Sequence, residues 1–295
     1  MNGWLFLDKP IGITSNFVLQ KIRRIFKNCK AGFVGTLDPL ATGYLPIALG
    51  TATKLIRYIE KVNKTYVFTI KWGEQTDTGD SEGKIICKKN FLPEFKNIER
   101  KLKCYMGEII QTTPKFSSVK INGLRAYDLA RKNIPFETKK RKVFINDIKI
   151  LETISSEKAL FYVECSSGTY IRSLAESIAK SLGTVGVITE LRRIGFGDCN
   201  KKLISLDYLL SLVHSDDQNK LVHPIDVVFK EIHKIQLSDK QLKKVLTGSF
   251  IEMNENIIPK NIGYDKMVLA KHANDFVALG LINKSNFHPK KLLIS

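Results

Sequence analysis

Apolar and polar side chains alternate regularly enough over residues 64–72 (KTYVFTIKW) to predict a β-strand. The apolar positions recur at every second residue, at Tyr66, Phe68, Ile70 and Trp72. Because successive side chains of a strand point to opposite faces, this spacing places the apolar side chains on one face. The segment is therefore predicted to be a half-buried strand.

Apolar residues three or four positions apart predict an amphipathic α-helix over residues 16–29, with Thr14, Ser15 or Asn16 as its N-cap. The apolar stripe consists of Val18, Ile22, Ile25, Phe26 and Cys29. The basic side chains lie largely off this stripe, at Lys21, Arg23, Arg24 and Lys27. Such a face is either simply solvated or contacts phosphate groups. No Asp or Glu lies between Asp8 and Asp38 to balance the charge, which favours phosphate contacts.

Shorter patterns predict the rest of the main body. Residues 4–7 and 160–165 are predicted to be strands, and residues 73–83 (GEQTDTGDSEG) a solvated acidic turn within a hairpin. A helix is predicted after the turn at 166–169, with an apolar stripe that ends before Gly183. Strands and helices are mixed without a strict βαβ alternation, so the pattern predicts an α+β fold.

The last part of the chain has the pattern of a small β-rich module. The polar stretch 215–220 (SDDQNK) is a candidate linker, and Ser238 with Gln241 forms the capping-box pattern of a short helix. Short apolar runs separated by turn residues follow. We predict a main domain over residues 1–230 and a second over residues 231–295, whose small core favours docking on the first.

The composition constrains the partner and the compartment. The chain of 295 residues has a formal net charge of +18 and a pI of about 9.6. This charge favours an anionic partner, nucleic acid first, although a lysine-rich and merely solvated surface has the same composition. No run of about eighteen apolar residues, the length of a membrane span, is present. The start MNGWLFLDKP lacks the features of a signal peptide, so we expect a cytoplasmic protein.

Cysteine and histidine positions predict no metal site. The five cysteines are widely spaced with no CxxC pair, and the five histidines form no HxxxH pair. All histidines follow residue 213, which excludes histidine-based catalysis from the first two thirds of the chain.

Asp38 is the only charged residue in the segment 31–50 (AGFVGTLDPLATGYLPIALG). Spacing alone favours Asp38 and Pro39 as the start of a helix, with the acid as the N-cap. Glycines also bracket the acid, at Gly32, Gly35 and Gly43. A capping acid needs no such glycines, whereas tight backbone turns or the close approach of a ligand do. A carboxylate held for chemistry is therefore the second interpretation.

Two further residues are candidates for the same site. Arg172 lies in the first turn of its predicted helix, where the helix dipole disfavours a cation. It is either exposed at little cost or paired with an anion such as Asp38 or a phosphate. Tyr66 is either a core tyrosine with a satisfied hydroxyl or an aromatic ring on which a base stacks.

Six short motifs follow one another along the chain: LDKP at residues 7–10, GTLDPLATGYLP around Asp38, KTYVF around Tyr66, TDTGDSEG at residues 76–83, SSGTYIRSL around Arg172, and ELRRIGFG around Leu191. Their order and spacing resemble the TruB family of pseudouridine synthases, the tRNA pseudouridine-55 synthases. The resemblance extends from about residue 3 to about residue 200, and LDPLATG together with GTYIR is highly specific. The last part of the chain more weakly resembles a PUA RNA-binding domain.

The resemblance implies a fold and catalytic roles. The fold is the pseudouridine synthase fold, with a central mixed, largely antiparallel sheet, followed by a PUA-like domain. Asp38 is expected to be the nucleophile, kept ionised by Arg172 as its counter-ion. Tyr66 is expected to stack on the target uracil, where a proton must leave.

Substrate-binding roles are implied for four more residues. Tyr170 and Leu191 are expected to line the uridine pocket, and Lys9 to support the site. Phe33 stands where bacterial members of the family carry a histidine. A phenylalanine can still stack on a base, but unlike histidine it cannot form a hydrogen bond through its side chain.

The implied reaction is the isomerisation of uridine to pseudouridine at position 55, in the T-arm loop of tRNA, with the base flipped out of its stack. No metal or cofactor is implied. The expected partner is tRNA, with no membrane and no obligatory protein partner, and the chain is expected to be a monomer. Two alternatives stay open: a guide-RNA-dependent relative that needs partner proteins, and a role in RNA binding or tRNA folding, alone or beside catalysis.

Overall fold

The computed structural model describes residues 1–213, 215–229, 232–253, 266–283 and 285–294. Within them the chain forms one large mixed sheet, a five-stranded sheet near its end, and helices packed against the sheets. This is the α+β class that the sequence predicts. No helix in the described ranges is long and apolar enough to cross a membrane.

The strands are β1 (Gly3–Lys9), β2 (Ala31–Phe33), β3 (Thr42–Leu49), β4 (Lys64–Trp72), β5 (Glu74–Thr76), β6 (Ile85–Lys88), β7 (Gly107–Thr112), β8 (Lys120–Ile121), β9 (Leu124–Arg125), β10 (Lys140–Ser155), β11 (Lys158–Cys165), β12 (Gly186–Phe196), β13 (Ile204–Ser205), β14 (His233–Gln236), β15 (Ile251–Glu252), β16 (Lys266–His272), β17 (Asp275–Asn283) and β18 (Asn286–Leu292). The helices are α1 (Ser15–Ile25), α2 (Ile56–Ile59), α3 (Phe95–Leu102), α4 (Ala126–Arg131), α5 (Ile171–Ser181), α6 (Leu206–Ser211) and α7 (Asp239–Leu246).

The large sheet has the strand order β13-β1-β3-β12-β4-β11-β10-β7, with β2 paired to β3. The pairs β1 with β13 and β3 with β12 are parallel. The other pairs of this sheet are antiparallel. The prediction of a mixed, largely antiparallel sheet is confirmed.

Strand β4 lies inside this sheet, since both of its edges are paired. Tyr66 stands opposite Arg193 of β12 on one side and Val163 of β11 on the other. The alternation read from the sequence is confirmed, because the buried apolar side chains are Tyr66, Phe68, Ile70 and Trp72. Their common face packs into the main core, in which the stripe of α5 also takes part.

The basic helix α1 begins as predicted but ends earlier. Thr14 is its N-cap, and the Thr14 hydroxyl accepts a hydrogen bond from a backbone amide of the first turn. The helix ends at Ile25, because Lys27 and Asn28 adopt left-handed φ angles of 51° and 56° that a right-handed helix cannot continue. Cys29 therefore lies outside the helix.

The acidic connection between β5 and β6 is ordered. The Thr76 hydroxyl donates to the carbonyl of Asp80 at 2.6 Å, and the Thr78 hydroxyl donates to Oδ1 of Asp80 at 2.6 Å. Asp80 also pairs with Ile188 of β12 and is only 4% exposed. The prediction of a solvated turn over residues 73–83 is wrong for Asp80, because the threonines fold the loop around it.

The segment 215–220 is not an open linker. Residues Asp216–Leu221 form a 3₁₀ helix, and Leu221 packs against the main core. The backbone of His223 then pairs with that of Trp4 in β1. The linker prediction is wrong because apolar contacts and backbone hydrogen bonds hold this segment on the main body.

The C-terminal sheet has the order β14-β16-β17-β18-β15. Helix α7 begins with the predicted capping box. One face of the sheet docks on the main body, where Leu269, Leu279 and Leu293 share a buried cluster with Trp4 and Phe6 of β1. The domain boundary at residue 230 stays a prediction.

Candidate active site

Asp38 lies in an irregular loop between β2 and β3, so the helix-start interpretation is wrong. The fully buried Lys9, at the end of β1, supports this loop: its Nζ donates to the carbonyl of Ile13 at 2.6 Å and to that of Pro39 at 3.3 Å. Burial lowers the pKa of Lys9 to about 8, against the opposing charges of Asp38 and Glu82. Lys9 therefore fixes the backbone next to Asp38.

Arg172 reaches Asp38 from the first turn of α5. Its Nε lies 2.8 Å from Oδ2 of Asp38 and 3.7 Å from Oδ2 of Asp80. Its Nη1 donates to the carbonyl of Thr78 at 2.7 Å, and its Nη2 to the carbonyl of Phe116 at 2.9 Å. The cation in the first helical turn is thus buried and paired, and these contacts leave the guanidinium little freedom to turn away from Asp38.

The pKa of Asp38 is raised above its ordinary value. Burial is the largest cause. The charge of Arg172 opposes the rise, whereas the neighbouring carboxylate of Asp80 adds to it by repulsion. Arg172 thus favours the ionised form of Asp38 and limits the rise in its pKa that burial causes.

Tyr66 lies beside these groups on β4 and is nearly buried. Burial raises the pKa of the Tyr66 hydroxyl, so the ring stays neutral. Across the strand pair, Arg193 is 1% exposed and donates from Nε to the carbonyl of Tyr44 at 2.6 Å and from Nη2 to that of Gly35 at 3.0 Å. Arg193 therefore ties β12 to the start of the loop that carries the acid.

The glycines around this loop make room for the protein itself. Gly35 has a φ of +69°, and a Cβ there would lie 3.0 Å from Nη1 of Arg193. Gly43 has a φ of +97°, and a Cβ there would lie 2.2 Å from the carbonyl oxygen of Arg193. A Cβ at Gly32 would lie 2.8 Å from the side chain of Ile56. The glycines thus allow tight turns and close internal packing, one of the two reasons the sequence offered.

A cleft of about 760 Å³ opens beside the acid. Six of the residues predicted for the site line it: Phe33, Asp38, Tyr66, Tyr170, Arg172 and Leu191. Lys9 is not among the lining residues and acts from behind the loop. The sheet therefore brings together residues that are far apart in the chain, because β2, β4, β12 and the start of α5 converge at this cleft.

Tyr170 is fixed at the start of α5 by Gln111 of β7. The backbone amide of Tyr170 donates to Oε1 of Gln111 at 2.7 Å, and Nε2 of Gln111 donates back to the Tyr170 carbonyl at 2.9 Å. The guanidinium of Arg141 lies 5.3 Å from the centroid of the Tyr170 ring and donates to the carbonyl of Gly168 at 3.2 Å. Gly168 and Tyr170 both line the cleft, so Arg141 brings the basic run 139–142 (KKRK) to its rim.

The buried polar residues at the site that escape sequence reasoning include Asp80, Gln111 and Arg193. Asp80 and Arg193 lie inside the motifs TDTGDSEG and ELRRIGFG, so the motifs themselves were a signal. Gln111 offered none, because a polar residue in a short strand is usually exposed. In the described ranges, no group of three His, Cys, Asp or Glu side chains is arranged to hold a metal ion.

Comparison with known proteins gives consistent matches. The family model described as TruB family pseudouridylate synthase (N terminal domain) matches residues 23–171. The tRNA pseudouridine synthase B of Ehrlichia canis is 38% identical over 265 residues, 88% of each chain. The protein of the same name from Aquifex aeolicus is 37% identical over 296 residues and covers both chains fully. That of Rhodospirillum rubrum is 36% identical, over 99% of this chain and 96% of its own.

Solved structures give matches over nearly the whole chain. A chain of a Cbf5–Nop10–Gar1 complex has a TM-score of 0.71 at 27% identity, and the match covers 99% of this chain and 85% of that one. A chain of the archaeal box H/ACA sRNP Nop10–Cbf5 complex has a TM-score of 0.71 at 26% identity, over 99% and 86% of the two chains.

Proposed function

This chain belongs to the TruB family of pseudouridylate synthases, and from that premise we propose that it converts uridine to pseudouridine at position 55, in the T-arm loop of tRNA. The relatives named tRNA pseudouridine synthase B favour tRNA as the substrate. The structural observation that carries the proposal is the ion pair of Asp38 and Arg172 in the cleft.

We propose Asp38 as the covalent nucleophile. Its side chain is 35% exposed, whereas that of Arg172 is 5% exposed. The reactive carboxylate therefore faces the cleft while its counter-ion is held behind it. Enzymes that use a carboxylate as a nucleophile need it ionised and accessible. The charge of Arg172 favours the ionised form against the effect of burial, and the exposed part of the side chain gives a substrate access to it.

The isomerisation exchanges one bond to the ribose for another. The bond between C1′ and N1 of the uracil breaks, the base turns, and C1′ bonds to C5, while the hydrogen on C5 leaves as a proton and N1 gains one. The site supplies the covalent partner, Asp38, and a neutral ring, Tyr66, against which the base stacks. We also propose that Tyr66 lies next to C5 when its proton leaves.

The target base has to leave its stack before Asp38 can reach it. Flipping a base costs a few kcal/mol, and stacking on aromatic rings offsets part of that cost. Tyr66 and Phe33 are the proposed stacking rings, with Tyr170 and Leu191 closing the uridine pocket. Phosphate contacts are proposed for the basic face of α1 and for the run 139–142.

The predicted fold is confirmed by the likeness to the Cbf5 chains, which spans 99% of this chain and so includes the C-terminal sheet. Within it we propose a catalytic domain over residues 1–230 and a PUA-like RNA-binding domain over residues 231–295. Docking of the second sheet on β1 supports a fixed geometry between the two RNA-binding surfaces.

The protein is proposed to act alone, as a cytoplasmic monomer on free tRNA and without a cofactor. The two solved complexes, in which Cbf5 is assembled with other proteins, are less similar in sequence, at 26% and 27% identity, than the tRNA pseudouridine synthase B proteins at 36% to 38%. The relatives named tRNA pseudouridine synthase B therefore favour free tRNA as the substrate.

Mapping pseudouridine in an unmodified tRNA transcript after incubation with the purified protein tests this function. The expected result is pseudouridine at position 55 with no guide RNA or second protein present, and none in a transcript with cytidine at that position. Activity that appears only when a guide RNA and partner proteins are added would contradict the proposed substrate and favour the guide-dependent alternative.

A further inference from the structure

The hydroxyl of Ser15 makes two hydrogen bonds to one residue of the loop that carries the acid. The backbone amide of Leu37 donates to Oγ of Ser15 at 2.9 Å, and Oγ donates to the Leu37 carbonyl at 3.0 Å. Ser15 is 1% exposed, so neither bond competes with water. The hydroxyl thus acts as donor and acceptor toward a backbone 22 residues away.

This hydroxyl is not needed by its own helix. Ser15 is the first residue of α1, and the capping of that helix is performed by the hydroxyl of Thr14. A serine at this position ordinarily hydrogen-bonds to nearby backbone of its own segment. Here it bonds to the loop instead, which indicates a role in holding that loop.

Leu37 directly precedes Asp38, so the hydrogen bonds from Ser15 act on the backbone next to the acid. The Leu37 carbonyl belongs to the same peptide group as the amide of Asp38, so the Ser15 hydroxyl fixes the plane from which the Asp38 side chain extends. On the other side of the acid, the Pro39 carbonyl accepts a hydrogen bond from the amide of Gly12 at 2.9 Å. The segment 12–15 therefore hydrogen-bonds to the loop on both sides of Asp38, at Leu37 and at Pro39.

We infer that Ser15 is a positioning residue, which holds the Asp38 carboxylate against Arg172 and couples it to the basic helix α1. The inference rests on the proposed function. The distance of 2.8 Å between Arg172 Nε and Asp38 Oδ2 tolerates little displacement of the loop. Without the hydroxyl, the amide and carbonyl of Leu37 are buried with no partner there, and the loop moves to satisfy them.

The test compares Ser15→Ala and Ser15→Cys with the wild type in single-turnover reactions at saturating protein. Cysteine has the same shape and is slightly larger than serine, but its thiol hydrogen-bonds only weakly. The matched control is Ser205→Ala, which removes a hydroxyl that caps α6 at 3.1 Å without contact to the loop. Thermal unfolding of all three variants measures the loss of stability separately.

We expect both Ser15 variants to react about 10- to 100-fold more slowly at saturation, as a small misplacement of a reacting group does. The protein concentration that half-saturates the rate should stay within about threefold of the wild-type value. The acid limb of the rate should also move to higher pH, because Arg172 then lowers the pKa of Asp38 less. Ser205→Ala should keep the wild-type rate. Ser15 variants with the wild-type rate and pH profile would overturn the inference.

A structure of Ser15→Ala decides the positioning role without reference to activity. We expect a longer distance between Arg172 Nε and Asp38 Oδ2 than the present 2.8 Å. An unchanged distance and loop would overturn the inference. Absence of pseudouridine from the wild-type reaction would instead contradict the proposed function, so the two failures are distinguishable.

Discussion

Arg172 holds its Nε 2.8 Å from Oδ2 of Asp38, with the guanidinium buried and the carboxylate open to the cleft. The same guanidinium is bound by the carbonyls of Thr78 and Phe116. The nucleophile proposed for this enzyme therefore depends on a cation whose orientation is set by two other loops.

Replacing Arg172 with lysine tests whether charge alone is enough. Arg172→Lys keeps the positive charge, but an ammonium group cannot reach Asp38 and both carbonyls in one planar arrangement. We expect the single-turnover rate to fall on the order of 100-fold, the loss typical when a preorganised donor is removed.

Arg192→Lys is the matched control for that variant. Arg192 is partly exposed on β12, where its guanidinium pairs with Asp8 at 2.7 and 2.9 Å. It does not belong to the residues that line the cleft, so the loss of one of these two contacts in the lysine variant leaves the groups of the site in place. This variant should react at close to the wild-type rate. A wild-type rate for Arg172→Lys would contradict the pairing that the proposed mechanism requires.

The acid limb of the pH–rate profile should report the ionisation of Asp38. The carboxylate reacts only when ionised, so the rate falls as the pH drops through its pKa, which burial raises above the ordinary value. Asp80→Asn removes a negative charge that contributes to that rise. The pKa of Asp38 should then decrease, and the acid limb should move to lower pH.

Asp77→Asn is the control for the pH experiment. Asp77 is an exposed acid of the same loop, whose Oδ1 accepts a hydrogen bond from the amide of Lys84 at 2.8 Å. Its replacement should leave the acid limb in place. An acid limb that stays fixed or moves to higher pH in Asp80→Asn would show that repulsion between the two carboxylates does not set the profile.

The basic face of α1 should contribute to the salt dependence of tRNA binding. In the described part of the chain, its lysine and arginine side chains form no ion pair with an acid. The test replaces three basic residues by glutamine: Lys21 and Arg24 of α1, and Lys27, which follows the end of the helix. Each phosphate that the protein no longer neutralises lowers the slope of log affinity against log salt by roughly 0.7 to 0.9.

The control for that experiment carries the same reduction in charge on α3, at Lys96, Arg100 and Lys101. If α1 contacts phosphates, its variant has a slope shallower by about 2 to 3, and the α3 variant keeps the wild-type slope. Equal slopes in the two variants would mean that net charge, and not the face of α1, attracts the RNA.

The local pattern of apolar and polar residues is sufficient to predict the strand and the helix that carry Tyr66 and Arg172. The alternation around Tyr66 predicts β4, and the stripe after residue 170 predicts α5, because each depends on the period of one element. The helix start at Asp38 is mispredicted for the same reason: Asp before Pro fits a local rule, while contacts from Lys9 and Ser15 hold the loop open.

Contacts between distant segments are beyond such patterns. The pairing of Asp38 with Arg172 follows from the resemblance to a family, since no local rule brings together residues so far apart in the chain. Asp80 is missed because a loop rich in acids ordinarily faces water, and only the fold shows that Thr76 and Thr78 turn it inward. The roles of individual site residues stay predictions until variants are measured.

The central claim is that Asp38 is the nucleophile, and Asp38→Asn tests it most directly. Asparagine keeps the size of the side chain and removes the charge. The measurement is pseudouridine at position 55 of a tRNA transcript, with tRNA affinity determined on the same preparation. We predict no pseudouridine and an affinity within about threefold of wild type, since binding depends on the cleft and the basic surfaces. Pseudouridine formation by Asp38→Asn at a rate near that of the wild type would contradict the claim.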